Sequence, residues 1–344
     1  MIYNLTANIN NSDRKFIDKF HSFSVNSSMN ENISGGATRP FLRESILAGV
    51  GEYFERDAVF AFNRNFANKE RVGCLNLLTK KVNYFDICNE KYKIYFSDTC
   101  GCACHTNSDN LVNNCFSEFV ERQSFMLRYL SKTAMYKLKF DKNLFEKLIP
   151  SELRHLKFYN ISLVDSYFVI LCIGTLNNNF YIGLGADFNL FNSIKNCIKE
   201  VMQMSSFYTN KNKNDNKNFK NRDREFKDYI DYFMELDSKR LENAYLFLDR
   251  FEEKAVDKNL LYNCYDINDT LSELYDKYKI EPYLFFMENM YNFKIAKIVD
   301  FNWFPTLLPK TISEEKIKNI EVLIGCYTYS GYFEFLKILK KLQD

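Results

Sequence analysis

Gly51-Glu52-Tyr53-Phe54-Glu55-Arg56-Asp57-Ala58-Val59-Phe60 and Ser117-Glu118-Phe119-Val120-Glu121-Arg122-Gln123-Ser124-Phe125-Met126 are two copies of one pattern, the second 66 positions after the first. Both glutamates and the arginine of one copy have a counterpart at the same offset in the other. The flanking residues fix the conformation. Leu42, Ile46, Val50, Tyr53 and Phe54 recur at three- and four-residue spacing, which predicts a helix over Phe41–Phe62. Val112, Phe116, Phe119, Val120 and Leu127 predict a second helix over Asp109–Leu130, with Asp109 as candidate N-cap. Residues three apart on a helix lie about 60° apart around its axis. Glu52 and Glu55 therefore share a face, as do Glu118 and Glu121, each pair at the border of an apolar stripe.

A single Glu-x-x-Glu-Arg is ordinarily a solvated helix edge, because such side-chain pairs are common and weak. Its duplication in one chain points elsewhere. Converging carboxylates repel unless a cation joins them, and Mg²⁺ takes oxygen ligands that it shares between carboxylates and phosphates. Arg56 and Arg122 are then placed to meet phosphate oxygens as planar forks. A diluted version, Glu200-Val-Met-Gln203, falls on a third helix expected over Phe191–Met204. Glutamate with neutral glutamine there fits either a ligand hydrogen bond or a plain structural contact.

Between and beyond these helices, strands are expected at Val82–Phe85, Tyr92–Phe96, Tyr167–Ile173, Phe180–Leu184, Tyr283–Met287 and Phe293–Val299. Further helices are expected near Asp228–Phe251, at Ser313–Lys318 and at Tyr332–Leu342. Residues 1–33 are rich in Asn and Ser and read as a loose lead-in with an amphipathic stretch around Lys15–Phe20. Residues 209–227 are almost all Asn, Lys, Asp and Arg, the composition of a polar surface loop. Strands and helices alternate with no Pro/Gly linker. The expected architecture is one integrated α/β (mixed α+β) domain over 34–344, containing an internally duplicated strand–helix unit.

Composition removes several function classes. The 344 residues are 46% hydrophobic with 33 Phe and 23 Tyr, enough for a substantial core. The 46 basic and 44 acidic residues give a net charge of +2, so no global field attracts nucleic acid or anionic membrane. Ten irregularly spaced cysteines do not form a disulfide framework. Met1–Ser12 is polar rather than an apolar secretory segment, and the apolar run Tyr167–Ile173 is far shorter than a membrane span. Reduced thiols in the cytoplasm are the expectation. Three histidines give no Ser/His/Asp or Cys/His constellation.

The segment before the second motif reads Asp98-Thr99-Cys100-Gly101-Cys102-Ala103-Cys104-His105-Thr106-Asn107. Its C-x-C-x-C-H spacing lacks the paired C-x-x-C arrangement of tetrahedral zinc sites. It reads instead as a small-residue loop entering a helix N-terminus, where backbone N–H groups can meet phosphate. Ser34-Gly35-Gly36-Ala37-Thr38 stands in the same relation to the first helix, and no Lys-Ser/Thr follows it, so it is not a Walker loop.

In this order, the GEYFER and SEFVER segments, the DTCGC loop, the Gly183-Leu-Gly185 stretch with Glu200 and Gln203, and the Phe293–Val299 strand resemble YcaO-domain proteins. The likeness is nearest to the YcaO subunits of microcin-type thiazole/oxazole synthetases and covers roughly Ser34 to Phe301. It implies an ATP- and Mg²⁺-using cyclodehydratase of bacteriocin-type peptide biosynthesis. In such enzymes a Cys, Ser or Thr side chain of a ribosomal precursor peptide attacks the preceding amide, whose oxygen is phosphorylated and leaves. By position, Glu52, Glu55, Glu118 and Glu121 match the family's metal-binding glutamates. Arg122 matches an arginine on the nucleotide phosphates, with Arg56 as its repeat partner. Thr106 lies in a loop position where the family often has Asn, and Lys297 stands where many members have Arg, keeping the charge without the fork. Asn110 stands where the family often has an acid, so either one metal position is weaker here or Asp109 substitutes. Azoline-forming members often end in a Pro-rich tail, whereas this sequence ends Ile338-Leu-Lys-Lys-Leu-Gln-Asp344. Implied partners are the precursor peptide, a leader-binding protein resembling adenylating enzymes, and a flavin-dependent azoline dehydrogenase. The same nucleotide site also serves relatives that make thioamides or amidines, and would serve a non-catalytic nucleotide-binding scaffold.

Overall fold

Three times along the chain a short strand gives way, after two residues, to a helix of six turns or more. Numbered in chain order, these units are β3 (Ser34–Arg39) with α1 (Leu42–Arg64), β6 (Cys102–His105) with α3 (Ser108–Ser131), and β10 (Asn179–Asp187) with α4 (Leu190–Asn214). The computed structural model describes residues 5–8, 20–27, 33–64, 71–87, 89–145, 149–151, 153–176, 179–214, 238–256, 258–287, 293–305 and 312–324. Contacts gather these into two compact units, 1–53 with 134–160 and 170–263, and 54–133 with 161–169 and 264–344. Each unit is assembled from interleaved segments, and one boundary falls inside α1, between Tyr53 and Phe54. No linker separates two halves, and the fold is the mixed α/β class expected from the sequence.

The first unit holds two sheets. β1 (Leu5–Asn8), β2 (His21–Ser27) and β3 form an antiparallel three-stranded sheet. A five-stranded sheet runs in the order β10, β9 (Phe168–Leu176), β8 (Arg154–Asn160), β7 (Tyr136–Lys139), β11 (Glu253–Ala255). Its continuous apolar strand β9 is buried over nearly its whole length. On α4, Ile194, Cys197, Ile198, Val201 and Met202 are wholly buried, a stripe of helical period that lies along β10. The approach needs glycine: a Cβ added at Gly183 would stand 2.2 Å from the Cys197 carbonyl oxygen, and one at Gly35 2.2 Å from that of Gly49 on α1. Two short helices, α5 (Ser238–Tyr245) and α6 (Lys258–Tyr262), complete this unit.

The second unit is built on the sheet β5 (Val82–Phe85), β4 (Val72–Asn76), β12 (Tyr283–Met287), β13 (Lys294–Val299), β6. All its pairings are antiparallel. On α3, Leu111, Cys115, Phe116, Phe119 and Val120 are buried, and the Cys115 thiol bonds the Ala296 carbonyl of β13 at 3.2 Å. Phe85, Tyr92, Tyr95, Tyr283 and Phe285 surround the ring of Phe301, and the single tryptophan, Trp303, is fully buried beside Tyr278 and Phe304. Helices α7 (Ile267–Tyr278) and α8 (Glu314–Ile324) close it.

Several sequence expectations change. Tyr92–Phe96 is not a strand: α2 (Glu90–Lys93) and a 3₁₀ turn at Ile94–Phe96 replace it. Asn89 caps that helix by accepting the Lys91 N–H, and Tyr92, Tyr95 and Phe96 sit at the helical spacing that the alternating reading overlooked. The N-cap of α3 is Asn107, not Asp109; its side chain accepts the Asn110 N–H. Residues 21–27 are not loose, since β2 pairs with β3 from His21↔Arg39 to Asn26↔Ser34. The cysteine loop becomes strand β6 from Cys102 onward. The polar segment expected from Thr209 begins as helix, because α4 runs to Asn214; residues 215–237 and the helix expected at Tyr332–Leu342 lie outside the described residues.

Candidate functional site

In the first unit, the strand that precedes α1 orients the first glutamate. Glu52 Oε2 accepts the Gly36 N–H at 2.8 Å. The Gly36 carbonyl in turn accepts from Gln203 Nε2 at 3.4 Å. Arg39, the last residue of β3, donates from Nη1 to Gln203 Oε1 and to the Thr38 carbonyl, both at 2.9 Å. Its Nη2 lies 3.9 Å from Glu200 Oε1. Glu52, Arg39, Glu200 and Gln203 thus belong to one network, and the Glu-x-x-Gln pair of α4 that was ambiguous in sequence is engaged at both ends. Arg39 was missed by the sequence reading. The signal for it was position: a cation on the last strand residue before a carboxylate-bearing helix. On the same helix, burial holds the Lys199 amine down to about 8, with Lys195 and Arg39 adding to the effect against Glu44 and Glu200.

In the second unit, Glu55 Oε1 accepts the Cys104 N–H at 2.9 Å, so strand β6 does for Glu55 what β3 does for Glu52. Arg122 Nε donates to Glu118 Oε1 at 2.7 Å, and its Nη1 lies 3.5 Å from the buried Glu121 Oε1. Burial works against the guanidinium charge, but Glu118 and Glu121 outweigh it and hold Arg122 well above the ordinary arginine value. Arg56, its repeat partner, is exposed, so the two copies share glutamate geometry and differ in the setting of the arginine. Thr106 and Asn110 are exposed at the start of α3.

Lys297 is wholly buried on β13. Its ammonium donates to the Asp98 carbonyl at 2.9 Å and to the Cys100 carbonyl, and lies 3.6 Å from Asp98 Oδ1. That ammonium clamps the Asp98–Cys100 loop. Gly101 completes the turn with φ +72°, and a Cβ there would lie 2.4 Å from the Ile298 carbonyl oxygen.

The donor set suits a hard cation. Burial raises the Cys100 and Cys102 thiols well above the ordinary value and Cys104 to about 12, which disfavours their thiolate forms. Carboxylate oxygens, such as those of Glu55, Glu118 and Glu121 in this unit, are the kind of donor that Mg²⁺ takes. Among the described residues no three His, Cys, Asp or Glu side chains are gathered as a metal cluster. Each of Glu52, Glu55, Glu118 and Glu121 already has one oxygen on a backbone N–H or on Arg122. No described helix is long and apolar enough to cross a membrane.

Comparison with known proteins identifies the fold and the family. The family model described as YcaO cyclodehydratase, ATP- and Mg²⁺-binding, matches residues 74–281, more than half of the chain. The match begins after the first glutamate helix and ends before β13. A chain of the E. coli microcin synthetase McbBCD complex is 14% identical, with a TM-score of 0.62 over 89% of this chain and 88% of its own. YcaO from Methanopyrus kandleri, bound with AMPPCP and Mg²⁺, is 11% identical, with a TM-score of 0.64 over 87% of this chain and 85% of its own. A heterocyclase in complex with substrate and cofactor is 10% identical, with a TM-score of 0.61 over 86% of this chain and 49% of its own. These similarities establish the fold; no curated protein sequence matches. The family match decides the assignment: the chain belongs to the YcaO cyclodehydratase family, whose cofactors are ATP and Mg²⁺.

Proposed function

We propose that this protein is the ATP-dependent cyclodehydratase subunit of a peptide-modifying complex. Its substrate is a ribosomal precursor peptide in which a Cys, Ser or Thr side chain closes on the preceding backbone carbonyl to give a thiazoline or oxazoline. The observation that carries this reading is the pair of Glu-x-x-Glu-Arg helices, held in orientation by Gly36, Cys104 and Arg122 within a chain of this family.

When bound, ATP supplies the phosphoryl group that turns a poor amide leaving group into phosphate, with Mg²⁺ offsetting the charge of the phosphates. The protein's own task is then to position and neutralise. Glu52, Glu55, Glu118 and Glu121 are the proposed metal ligands. Arg122 is the proposed phosphate contact, exchanging Glu118 for an anionic oxygen, and Arg56 and Thr106 are its proposed outer neighbours. Lys297 acts through the loop it clamps. For each ring the side-chain nucleophile forms one bond to carbon, the amide oxygen leaves as phosphate, and water is lost overall from the peptide.

A similar chain belongs to the microcin synthetase McbBCD complex, with pro-MccB17 bound in one structure, and a similar heterocyclase holds its substrate; this favours a precursor peptide and partner proteins here. The proposed partners are a leader-binding protein that delivers the peptide and a flavin-dependent dehydrogenase acting on the azoline. The test is intact mass. Protein, delivery partner and precursor with Mg-ATP should lower the peptide mass by about 18 Da per ring, one water, with one ATP consumed. A gain of about 16 Da would assign O-to-S exchange by the same nucleotide site instead. Turnover unchanged in both Glu55→Gln and Glu118→Gln would remove the metal-site assignment.

A further inference from the structure

Arg39 closes strand β3 and ties it to two helices of the first unit. Its N–H donates to Ser45 Oγ of α1 at 3.0 Å, and that hydroxyl donates in turn to the His21 carbonyl of β2. Its guanidinium reaches α4, where Nη1 donates to Gln203 Oε1 at 2.9 Å. The same nitrogen donates to the Thr38 carbonyl at 2.9 Å, which fixes the fork on its own strand. Three residues earlier, Gly36 is held at both of its backbone groups. Glu52 Oε2 accepts its N–H at 2.8 Å, and Gln203 Nε2 donates to its carbonyl at 3.4 Å. β3 is an outer strand of its three-stranded sheet, and in an antiparallel ladder the N–H and C=O of one residue face the same side. Both groups of Gly36 therefore point off the sheet, where Glu52 and Gln203 take the place of a neighbouring strand.

The chemistry of each member gives this chain of contacts a direction. A guanidinium only donates, so the Gln203 amide turns its oxygen to Arg39. Its nitrogen then faces Gly36 and donates there. The reversed amide would set oxygen against the Gly36 carbonyl and nitrogen against the guanidinium, losing both bonds. Gly36 has the freest backbone of any residue type, so its direction depends on what holds it.

We propose that Arg39 is a positioning residue for the metal site: it sets the Gln203 amide, Gln203 holds Gly36, and the Gly36 N–H aims the Glu52 carboxylate. The inference rests on the reading of Glu52 as a metal ligand and deepens it. A carboxylate whose direction is fixed beforehand loses less freedom when it takes a cation. Groups that orient a ligand from behind are typically worth about ten- to a hundredfold in metal affinity. A bare charge effect has the opposite sign. Arg39 is a cation, so as a charge alone it opposes a metal ion, and its removal would tighten binding. Positioning requires that its removal weaken binding.

The test is titration of the full chain with Mn²⁺, which takes the same oxygen donors as Mg²⁺ and whose free ion is counted by its electron paramagnetic resonance signal. Glu52→Gln and Arg39→Met should each weaken binding by about tenfold. Arg39→Lys keeps the charge without the fork and should cost about threefold. Gln203→Met cuts the relay at its middle and should match Arg39→Met, so it carries the test if circular dichroism shows Arg39→Met unfolded. In the double variant Arg39→Met/Glu52→Gln the two losses should not multiply. Its Kd should stay within about twofold of Glu52→Gln alone, since Arg39 acts through that carboxylate. Unchanged or tighter binding in Arg39→Met and Gln203→Met, or losses that multiply in the double variant, overturns the proposal and leaves Glu52 a ligand. A wild type that takes no Mn²⁺, or Glu52→Gln that binds as wild type does, overturns the metal reading and the proposal with it.

Discussion

At the scale of single residues, the site is a set of charges each given a partner. Glu118 is the simplest to test, because among the described residues it is held by Arg122, at 2.7 Å on its own helix. Glu118→Gln keeps the shape and removes the charge. Activity should fall about a hundredfold or more, as expected when one electrostatic contact to a transferring phosphoryl group is lost. The melting temperature should fall by no more than a few degrees, since Arg122 keeps Glu121 at 3.5 Å as a partner for its charge. Lys297 differs in kind. Lys297→Met strands the Asp98 and Cys100 carbonyls and should cost about 3 kcal/mol in denaturant unfolding. Asp300 is a third case, buried at the end of β13 and accepting the Glu281 and Asn302 N–H groups at 2.6 and 2.7 Å. Burial raises its carboxyl from 3.8 to about 7 despite those donors and Lys316. The folded state then holds a proton that the unfolded state releases, so stability falls as pH rises from 3.8 to about 7. Melting curves across that window should show a shallower decline in Asp300→Asn; an identical slope would deny Asp300 the effect.

At the scale of elements, the recurring device is a strand, a two-residue turn and a long helix, and two of its strands, β3 and β6, each hold one acid of α1, Glu52 and Glu55. Its close packing makes a prediction. Gly183→Ala must displace the α4 backbone at Cys197 and should cost about 3 kcal/mol, with the far-ultraviolet spectrum retained. The helices of this device were legible because their apolar residues repeat every three or four positions over five or more turns. The glutamate faces followed from the same arithmetic. What escaped were the short elements. β6 is four residues of Cys, Ala and His, with no β-branched or alternating signal, and only pairing with β13 makes it a strand. Tyr92–Phe96 satisfied two periodicities at once, and the Asn89 cap decided for helix. Arg39 was overlooked for a related reason: its partners, Glu200 and Gln203, are more than 160 positions away, and only its place just before α1 marked it. Contacts set by packing rather than by local period cannot be read along the chain.

At the scale of the whole molecule, two interleaved units each carry part of the duplicated motif, Glu52 in one and Glu55, Glu118 and Glu121 in the other. A ligand that binds only the folded chain stabilises it by mass action, so Mg-ATP at about a hundred times its Kd should add about 2.7 kcal/mol and raise the melting temperature by several degrees. Mg²⁺ or ATP alone should do less. The most direct measurement of the central claim is the intact mass of a precursor peptide after incubation with Mg-ATP, the delivery partner and either this protein or its Glu118→Gln variant. The account predicts ATP-dependent losses of about 18 Da with the wild type and an unchanged peptide with the variant. Equal mass loss with both proteins, or loss without ATP, would contradict it.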